Sequence, residues 1–216
     1  DYGKWNNWCV ILMQIIKQGA EAIIYTDKID NQKVLVKERI KKNYRIPEID
    51  MEKRKYPTRR EAKLLTESLT VIDVPKVYEM DDKNMKVVME YIDGKRLKEI
   101  FDDLKDRKEI CLKIGNSIAK LHDKDIIHGD LTTSNMILKD NKIYFIDFGL
   151  GFISKKIEDK AVDLHLMRQA LDSKHYKNSE ESFSLILDAY KISKNYEEVI
   201  KRLEKVENRG RYKKRV

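Results

Sequence analysis

The sequence predicts an α+β fold in which a strand-rich first half precedes a helical second half. In the first half, short runs of β-branched and apolar residues are separated by turn residues such as Asp30-Asn31. In the second half, apolar residues recur at helical spacing, as at Ile110, Ile114 and Ile118. No internal repeat is visible in the 216 residues, and this length suits one domain or two small lobes.

The same patterns place the individual elements. Strands are expected at residues 14–18, 22–26, 34–37, 76–80 and 86–90, with a turn near Gly19 in the first hairpin. One helix is expected among them, from Thr58 to Leu69, because Ala62, Leu65 and Leu69 lie on one helical face. Further helices are expected at residues 97–104, at 109–123, and from residue 160 to about residue 207.

The composition limits the class of protein. Charged residues make up 38% of the sequence, hydrophobic residues 41%, and the formal net charge is +8. This balance is typical of a folded, soluble protein rather than a disordered chain. No apolar run reaches the length of a membrane span, so no membrane partner is expected. Cys9 and Cys111 lack the spacing of a zinc site, which favours reduced thiols in the cytoplasm.

Basic residues are concentrated at the C-terminus. Arg209, Arg211, Lys213, Lys214 and Arg215 surround Tyr212. A basic tail with an aromatic residue can follow a nucleic-acid backbone or reach into a phosphate site. The alternative is a solvated surface that only adds solubility. We favour a binding role for this tail.

Two motifs in the second half carry chemistry. They are His128-Gly129-Asp130-Leu131-Thr132-Thr133-Ser134-Asn135 and Ile146-Asp147-Phe148-Gly149. They match the H-x-D-L-x-x-x-N and D-F-G motifs of protein-kinase-like phosphotransferases. In that family the loop aspartate, here Asp130, positions the attacking group, while the residues equivalent to Asn135 and Asp147 hold Mg²⁺ on the triphosphate. We therefore expect ATP and Mg²⁺ as cofactors.

The first half supplies a candidate lysine for the phosphates. Lys37 ends the run Val34-Leu35-Val36-Lys37, which resembles the V-A-I-K strand of protein kinases. There the lysine contacts the α- and β-phosphates and pairs with a helix glutamate, for which Glu61 is the best candidate. The alternative for Glu61 is a capping box with Thr58 at the N-cap, since Thr58-Arg59-Arg60-Glu61 fits T-x-x-E.

Four further residues are assigned by the same likeness. The strand end at Glu90 resembles the hinge between kinase lobes, where the Glu90 carbonyl and the Ile92 N–H would bond the adenine edge. His128 is expected to brace the catalytic loop, because a lone histidine is more often structural than a metal ligand. Asp163 resembles the buried acidic residue that anchors this loop from a helix.

The departures from the protein-kinase pattern are equally informative. The loop G-x-G-x-x-G is reduced to Gly19, with Ala20 and Glu21 as the other candidate ATP-binding residues. Gly129 stands where most protein kinases carry the arginine that reads activation-loop phosphorylation, so that regulation is not expected. No A-P-E motif follows, and Asp163 comes soon after D-F-G. Little room remains for a peptide-docking activation segment.

These features together resemble one family. The matching residues are 18–22, 37–39, 44–45, 47, 50, 58–62, 128–135, 146–151, 158–164 and the Arg-Gly-Arg of the tail. As a set, over about residues 13 to 216, they resemble the small atypical kinase/ATPase subunit of the KEOPS (EKC) complex, a Bud-type kinase, and its archaeal members in particular.

The resemblance implies a compact bilobal protein-kinase-like fold with ATP in the cleft between a β-rich N-lobe and a small helical C-lobe. It implies a cytoplasmic, autophosphorylating Ser/Thr kinase that hydrolyses ATP in support of threonylcarbamoyl-adenosine formation in tRNA. The expected partners are the threonylcarbamoyl-transferring subunit, a further small KEOPS subunit and tRNA.

The resemblance also suggests boundaries along the chain. Some archaeal members are fused behind the transferring subunit, so residues 1–12 are expected to be a linker or leader segment. The kinase N-lobe is then expected at residues 13–92, the C-lobe at 93–208 and the basic tail at 209–216.

Three alternatives are open at this point. A small-molecule phosphotransferase of the aminoglycoside-kinase type also uses H-G-D, but needs a larger helical lobe. A RIO-type kinase is similarly compact, but Asp147-Phe148-Gly149 and residues 160–164 argue against it. A non-catalytic tRNA-binding assembly module is disfavoured because the lysine, the loop aspartate and both metal-binding residues are kept.

Overall fold

Two units, defined by their internal contacts, make up the part of the chain that the computed structural model describes. That part is residues 14–212, without the side chains of residues 210–212. The first unit contains residues 14–59 and 77–91, and the second contains residues 60–76 and 92–212. Residues 60–76, expected in the N-lobe, therefore group with the second unit. The expected linker at residues 1–12 lies outside the described part.

The first unit is built on a five-stranded antiparallel sheet with the strand order β1-β2-β3-β5-β4. Its strands are β1 (Gln14–Gln18), β2 (Ala22–Ile29), β3 (Gln32–Arg39), β4 (Val77–Asp81) and β5 (Lys86–Glu90). Each overlaps an expected strand. Tyr25, Val34 and Val36 are buried and pack against Ile23 and Val88, because alternate residues of a strand share one face.

A tight turn sets the register of β2 and β3. Asp30 and Asn31 have φ angles of 49° and 64°, and they connect Ile29 to its paired residue Gln32. Positive φ at both positions is typical of a type I′ turn, which asparagine and aspartate adopt more easily than most residues. This turn is the one expected from the sequence.

The helix of the first half is longer than expected. Helix α1 (Pro47–Ser68) begins well before Thr58. The Thr58 hydroxyl donates to the Arg54 carbonyl at 2.7 Å, one turn earlier in the same helix. The capping-box alternative for Thr58 is therefore wrong, because an N-cap residue stands at the start of a helix. Pro57 lies inside α1, and a proline in the sequence usually indicates a boundary.

The second unit is mainly helical. Its helices are α2 (Leu97–Ile100), α3 (Arg107–Asp123), α4 (Ile157–Lys174), α5 (Ser179–Tyr190) and α6 (Tyr196–Tyr212). Its strands are β6 (Lys95–Arg96), β7 (Ile126–Ile127), β8 (Met136–Lys139), β9 (Lys142–Phe145) and β10 (Phe152–Ile153). They form one sheet in the order β6-β8-β9 and a separate pair of β10 with β7. Helix α6 extends past the expected end near residue 207.

Helix α3 supplies the centre of this unit. Ile110, Ile114 and Ile118 are fully buried, as their spacing predicts. Gly115 lies against α5, and a Cβ atom at this position would be 2.2 Å from the Ile186 carbonyl oxygen. The absence of a side chain at Gly115 therefore allows the two helices to approach each other closely.

The predicted α+β class is confirmed, since strands predominate in the first unit and helices in the second. The segment between D-F-G and α4 is short, as expected, because α4 begins at Ile157. None of the helices within residues 14–212 is long and apolar enough to cross a membrane.

We expect Gly115→Ala to destabilise the protein by about 1–3 kcal/mol, because the added methyl group forces α3 and α5 apart. The sign of this change in stability tests the close packing, because replacing glycine by alanine at an unconstrained helix position stabilises a protein by about 0.5–1 kcal/mol. Urea unfolding measures the difference. Asn116→Ala, on the partly exposed side of the same helix, is the matched control and should not destabilise. Equal stabilities for Gly115→Ala and the parent protein would contradict the close packing.

Candidate active site

The two predicted motifs lie on a short-strand framework in the second unit. Strand β7 leads into His128, a single 3-10 turn spans Thr133–Asn135, and β8 and β9 carry the chain to Asp147. The pairing of β10 with β7 returns the chain after D-F-G to the start of the catalytic loop. Both motifs are thereby fixed to the same framework.

Asp130 and Asn135 are in direct contact. The Asn135 side-chain Nδ2 donates to the Asp130 carboxylate at 2.8 Å and to the Asp130 carbonyl oxygen at 3.0 Å. Both Nδ2 hydrogens are thereby used, which leaves the Asn135 Oδ1 oxygen as the atom that can bind a cation. The contact also orients the Asp130 carboxylate.

Asp147 is connected to Asn135 through Ile146, the residue directly before it. The Ile146 N–H donates to the Asn135 carbonyl oxygen at 3.0 Å. Asp147 itself has a φ of 65°, a left-handed conformation that aspartate tolerates better than most residues. Its Oδ1 accepts a long hydrogen bond of 3.4 Å from the Gly149 N–H. The structure thus brings Asp130, Asn135 and Asp147 into one hydrogen-bonded segment.

His128 is fully buried between the two motifs. Its Nε2 lies 3.2 Å from the Ile146 carbonyl oxygen, and its Nδ1 accepts from the Asp130 N–H at 3.3 Å. These contacts assign a neutral ring with the hydrogen on Nε2. The ring also packs against Phe148, with centroids 4.5 Å apart. Burial lowers the pKa of His128, against the opposing effect of the Asp163 carboxylate.

Asp163 fixes the start of the catalytic loop. Its buried carboxylate accepts hydrogen bonds from the backbone N–H groups of His128 at 2.8 Å and Gly129 at 2.9 Å. The same carboxylate lies 3.3 Å from His122 Nε2, whose Nδ1 lies 2.8 Å from the Tyr190 hydroxyl. Burial raises the pKa of that hydroxyl. Helices α3, α4 and α5 therefore hold the loop through one buried chain of hydrogen bonds.

The structure explains why residue 129 is a glycine, which the sequence alone did not predict. Its φ is 78°, and a Cβ atom would lie 2.6 Å from the Leu150 carbonyl oxygen. A side chain at this position would need both an unfavourable backbone conformation and displacement of the chain after D-F-G. The glycine in H-G-D is thus required by the path of the backbone.

Lys37 and Glu61 are the candidate nucleotide-binding residues outside the two motifs, and their roles in ATP binding stay predictions. Lys37 lies on β3 between Ile24 of β2 and Val87 of β5 and is 9% exposed. Glu61 lies on α1 and is 1% exposed. Neither residue is without an interaction partner. A buried lysine and a buried glutamate require partners, since a charge without one is costly to remove from water.

The two hinge residues lie at the end of β5 and shortly after it. Glu90 is the last residue of β5, and Ile92 is buried at the start of a segment of the second unit. The Ile92 carbonyl accepts from the Gly94 N–H at 3.1 Å. The proposed adenine bonds from the Glu90 carbonyl and the Ile92 N–H remain a prediction.

The loop Gly19-Ala20-Glu21 between β1 and β2 is held by basic residues. The Lys42 Nζ contacts the Ala20 carbonyl oxygen, and Arg45 forms a forked ion pair with the Glu21 carboxylate at 3.0 and 3.4 Å. The hydrogen bond from Arg45 holds the pKa of Glu21 below its usual value. Because Glu21 is anionic and paired, its backbone rather than its carboxylate is suited to phosphate binding. The sequence did not indicate these two basic partners.

The basic tail is only partly described. Arg209 lies within α6, and its guanidinium pairs with Glu158 at 2.6 Å. Arg202, about two helical turns earlier on the same face, pairs with the same carboxylate at 3.1 Å. The expected tail boundary at residue 209 is therefore inside a helix, and Arg209 is engaged by the folded unit. The Arg211 side chain and residues 213–215 lie outside the described part.

The chemistry of the donor set fits a hard divalent cation. Asn135 offers an amide oxygen and Asp147 a carboxylate, and Mg²⁺ prefers oxygen ligands supplied by one or two side chains together with substrate phosphates. Across residues 14–212, no group of three or more His, Cys, Asp or Glu side chains is arranged as a protein-only metal site. A cation bound here would therefore share its ligands with a nucleotide.

Comparison with known proteins decides the family. The RIO-domain family model matches residues 24–160. KEOPS complex subunit Bud32 of Pyrococcus abyssi is 47% identical over 215 residues, covering 94% of this chain and 98% of that protein. The chain belongs to the Bud32 family of RIO-domain proteins. The predicted resemblance is thereby confirmed.

Other Bud32-related proteins extend the comparison. EKC/KEOPS complex subunit BUD32 of Yarrowia lipolytica is 36% identical over a 226-residue alignment, covering 91% of each chain. A probable bifunctional tRNA threonylcarbamoyladenosine biosynthesis protein of Methanobrevibacter smithii is 42% identical over 201 residues. That alignment covers 92% of this chain but 36% of the relative, so the Bud32-family chain spans about a third of the bifunctional protein.

One argument from the sequence is corrected by the family. In the sequence, Asp147-Phe148-Gly149 and residues 160–164 argue against a RIO-type kinase, yet the RIO-domain family model matches residues 24–160, which include the D-F-G motif. The exclusion is wrong because that motif serves metal binding in related kinase folds and does not distinguish among them. Bud32 proteins thus fall within the RIO-type atypical kinases.

The burial of neutral His128 predicts acid sensitivity of this Bud32-family fold. Its pKa is lower in the folded state than the ordinary value of about 6.5. Below that pH the unfolded chain binds a proton that the folded protein does not, so stability falls as pH falls. We expect a loss of at most about 1 kcal/mol between pH 6.5 and 5.5 from this residue.

The measurement is urea unfolding of the parent protein and of His128→Gln at both pH values. The variant is less stable at pH 7 but should lose less on acidification, because glutamine does not titrate. Parallel losses in the two proteins would show that His128 does not carry the effect.

Proposed function

We propose that this protein is an atypical Ser/Thr kinase and ATPase that acts within a KEOPS-type complex in support of threonylcarbamoyl-adenosine formation in tRNA. The observation that carries the proposal is the hydrogen bonding of Asn135 to Asp130 and to Ile146, the residue directly before Asp147. A loop aspartate beside two oxygen ligands is the minimum needed to position an attacking group next to a metal-bound triphosphate. Membership of the RIO-type kinases supports the same chemistry.

Each side chain has a distinct proposed role. Asp130, oriented by Asn135, positions a water molecule or a hydroxyl group for attack on the γ-phosphoryl group. Asn135 and Asp147 would hold Mg²⁺, which supplies charge neutralisation of the phosphates when bound. Lys37 is proposed to contact the α- and β-phosphates, with Glu61 as its acidic partner. His128 and Asp163 position the catalytic loop.

The complex and its location are proposed from the relatives. Proteins named as KEOPS subunits match this chain over nearly its full length. The bifunctional tRNA threonylcarbamoyladenosine biosynthesis proteins contain a matching segment within a longer chain. We therefore propose a threonylcarbamoyl-transferring subunit as the main partner, a further small KEOPS subunit as a second, tRNA as the nucleic acid and the cytoplasm as the location.

We expect Asp130→Ala to lower the rate of Mg²⁺-dependent ATP hydrolysis by about a hundredfold or more, because the positioned acid–base group is lost. ATP affinity should change little, since the proposed phosphate and metal contacts come from other residues. Hydrolysis assays with and without tRNA and the partner subunit, together with ATP titration by calorimetry, test both expectations.

Asp103→Ala removes an exposed carboxylate from the same unit and is the matched control. Wild-type hydrolysis by Asp130→Ala would reject the assignment of Asp130. If the parent protein itself fails to hydrolyse ATP with partner and tRNA present, a non-catalytic tRNA-binding assembly module becomes the better proposal. Phosphorylation of an aminoglycoside or choline-like substrate would instead favour a small-molecule phosphotransferase.

Removal of residues 213–216 tests the basic tail without shortening α6, which ends at Tyr212. The truncated protein should bind tRNA more weakly and with a smaller salt dependence, because Lys213, Lys214 and Arg215 no longer displace counterions. Filter-binding titrations over a range of salt concentrations measure both changes. Arg209→Gln, which removes a charge already paired with Glu158, should have the smaller effect. Identical salt slopes for the truncated and full-length proteins would exclude tRNA contact by the tail.

A further inference from the structure

A second hydrogen-bond chain, buried at Thr133 and His175 and exposed at Asp102, reaches the catalytic loop and involves residues outside the predicted site. His175 Nε2 lies 2.9 Å from the Thr133 hydroxyl, and His175 Nδ1 lies 2.9 Å from the Asp102 carboxylate. Thr133 is 1% exposed and His175 2% exposed. The three residues are far apart in sequence, so folding alone brings them together.

The direction of each hydrogen bond follows from the carboxylate. Ionised Asp102 can only accept, so His175 Nδ1 must carry the hydrogen. In neutral His175, Nε2 is then the acceptor, and the Thr133 hydroxyl donates to it. The Asn178 side chain also donates to Asp102 at 2.9 Å. Burial raises the pKa of Asp102, but the hydrogen bonds from His175 and Asn178 outweigh it and hold that pKa below its usual value.

The Asp-His-hydroxyl order resembles the triads that activate nucleophiles, but Thr133 cannot serve that purpose. Its side chain is excluded from solvent, and its hydroxyl hydrogen is used by His175. What the chain can do is fix the position of Thr133. Since Thr133 begins the single 3-10 turn that ends at Asn135, fixing Thr133 also fixes the backbone of Asn135.

Helix α4 then holds the catalytic loop at two points. Asp163 lies in the middle of α4 and binds the loop at His128 and Gly129. His175 is the residue that caps the C-terminal end of α4, where its N–H donates to the Leu171 carbonyl at 2.8 Å. The first contact fixes the side of the loop that leads to Asp130, and the second fixes the side that carries Asn135.

We infer that His175, oriented by Asp102, is a positioning residue that sets the metal-binding geometry of Asn135 through the Thr133 hydroxyl. This inference rests on the proposed Mg²⁺–nucleotide site. Loss of the Thr133 contact should weaken cation binding more than it slows turnover. Asn135 is displaced directly, whereas the backbone that leads to Asp130 is still held by Asp163 at His128 and Gly129, and only the Asn135 contact to Asp130 is disturbed.

The test compares Thr133→Val, which keeps shape and removes the hydroxyl, with Thr133→Ser, which restores it. Thr133→Val should raise the Mg²⁺ concentration for half-maximal ATP hydrolysis at saturating ATP by about tenfold, typical for loss of an outer contact to a metal ligand. Its maximal rate should fall by a smaller factor. Mn²⁺ binding in the presence of ADP, followed by electron paramagnetic resonance, should weaken to the same extent. Thr133→Ser should recover most of the affinity.

Thr66→Val is the matched control, since the Thr66 hydroxyl is also hydrogen-bonded, to the Ala62 carbonyl of its own helix at 2.8 Å. It should leave both cation measurements unchanged. An active parent protein with unaltered Mn²⁺ affinity in Thr133→Val would overturn the inference alone. A parent protein that shows neither Mg²⁺-dependent hydrolysis nor Mn²⁺–ADP binding would instead overturn the proposed function.

A measurement on the unmutated chain covers the case in which Thr133→Val does not fold. The nitrogen chemical shifts of His175 in a ¹⁵N-labelled sample report which ring nitrogen carries the hydrogen. The inference requires hydrogen on Nδ1 and a shift of that preference in Asp102→Asn, whose amide can donate as well as accept. Hydrogen on Nε2 in the parent protein would overturn the inference.

Discussion

The buried carboxylate of Asp163 is the constraint on which the catalytic half of the structure depends. A carboxylate removed from water is costly unless several donors compensate for its lost hydration. Here the donors are the backbone N–H groups of the buried His128 and the partly buried Gly129, together with the buried His122 side chain. The loop backbone and the charge on α4 therefore stabilise each other, and neither arrangement is favourable without the other. Each N–H left unsatisfied by loss of the carboxylate would cost about 1–3 kcal/mol.

This constraint explains the residue types at the start of the loop. With two successive N–H groups directed at one carboxylate, Gly129 takes a φ of 78° and passes close to the Leu150 carbonyl. The arginine of conventional protein kinases has no room on such a backbone. The same backbone brings the chain after D-F-G close to the catalytic loop, and α4 begins soon afterwards at Ile157.

Local chemistry accounts for what the sequence could predict. The Asp30-Asn31 turn, the strands beside it and the helical face of Ile110, Ile114 and Ile118 depend on near neighbours in sequence. The catalytic loop was recognisable because its motif is contiguous. The start of α1 was missed because Pro57 in a helix interior contradicts the usual preference.

Long-range contacts account for what the sequence could not predict. The requirement for Gly129 depends on Leu150, and the Asp102–His175–Thr133 chain joins three distant segments. No pattern among neighbouring residues in the sequence predicts either of these two sets of contacts. The engagement of Arg209 by Glu158 is of the same kind, since a basic run at a chain end gives no sign that its first member lies in a packed helix.

At position 147 the left-handed backbone conformation favours glycine, whereas the proposed metal site needs the carboxylate of an aspartate. A residue with a Cβ atom at a φ of 65° is held against its intrinsic preference at a cost of order 1 kcal/mol, and glycine would carry no such cost. The chain would fold more easily without the side chain that the proposed site needs most. The backbone conformation at this position does not require an aspartate, and only the carboxylate gives residue 147 its proposed role in binding Mg²⁺.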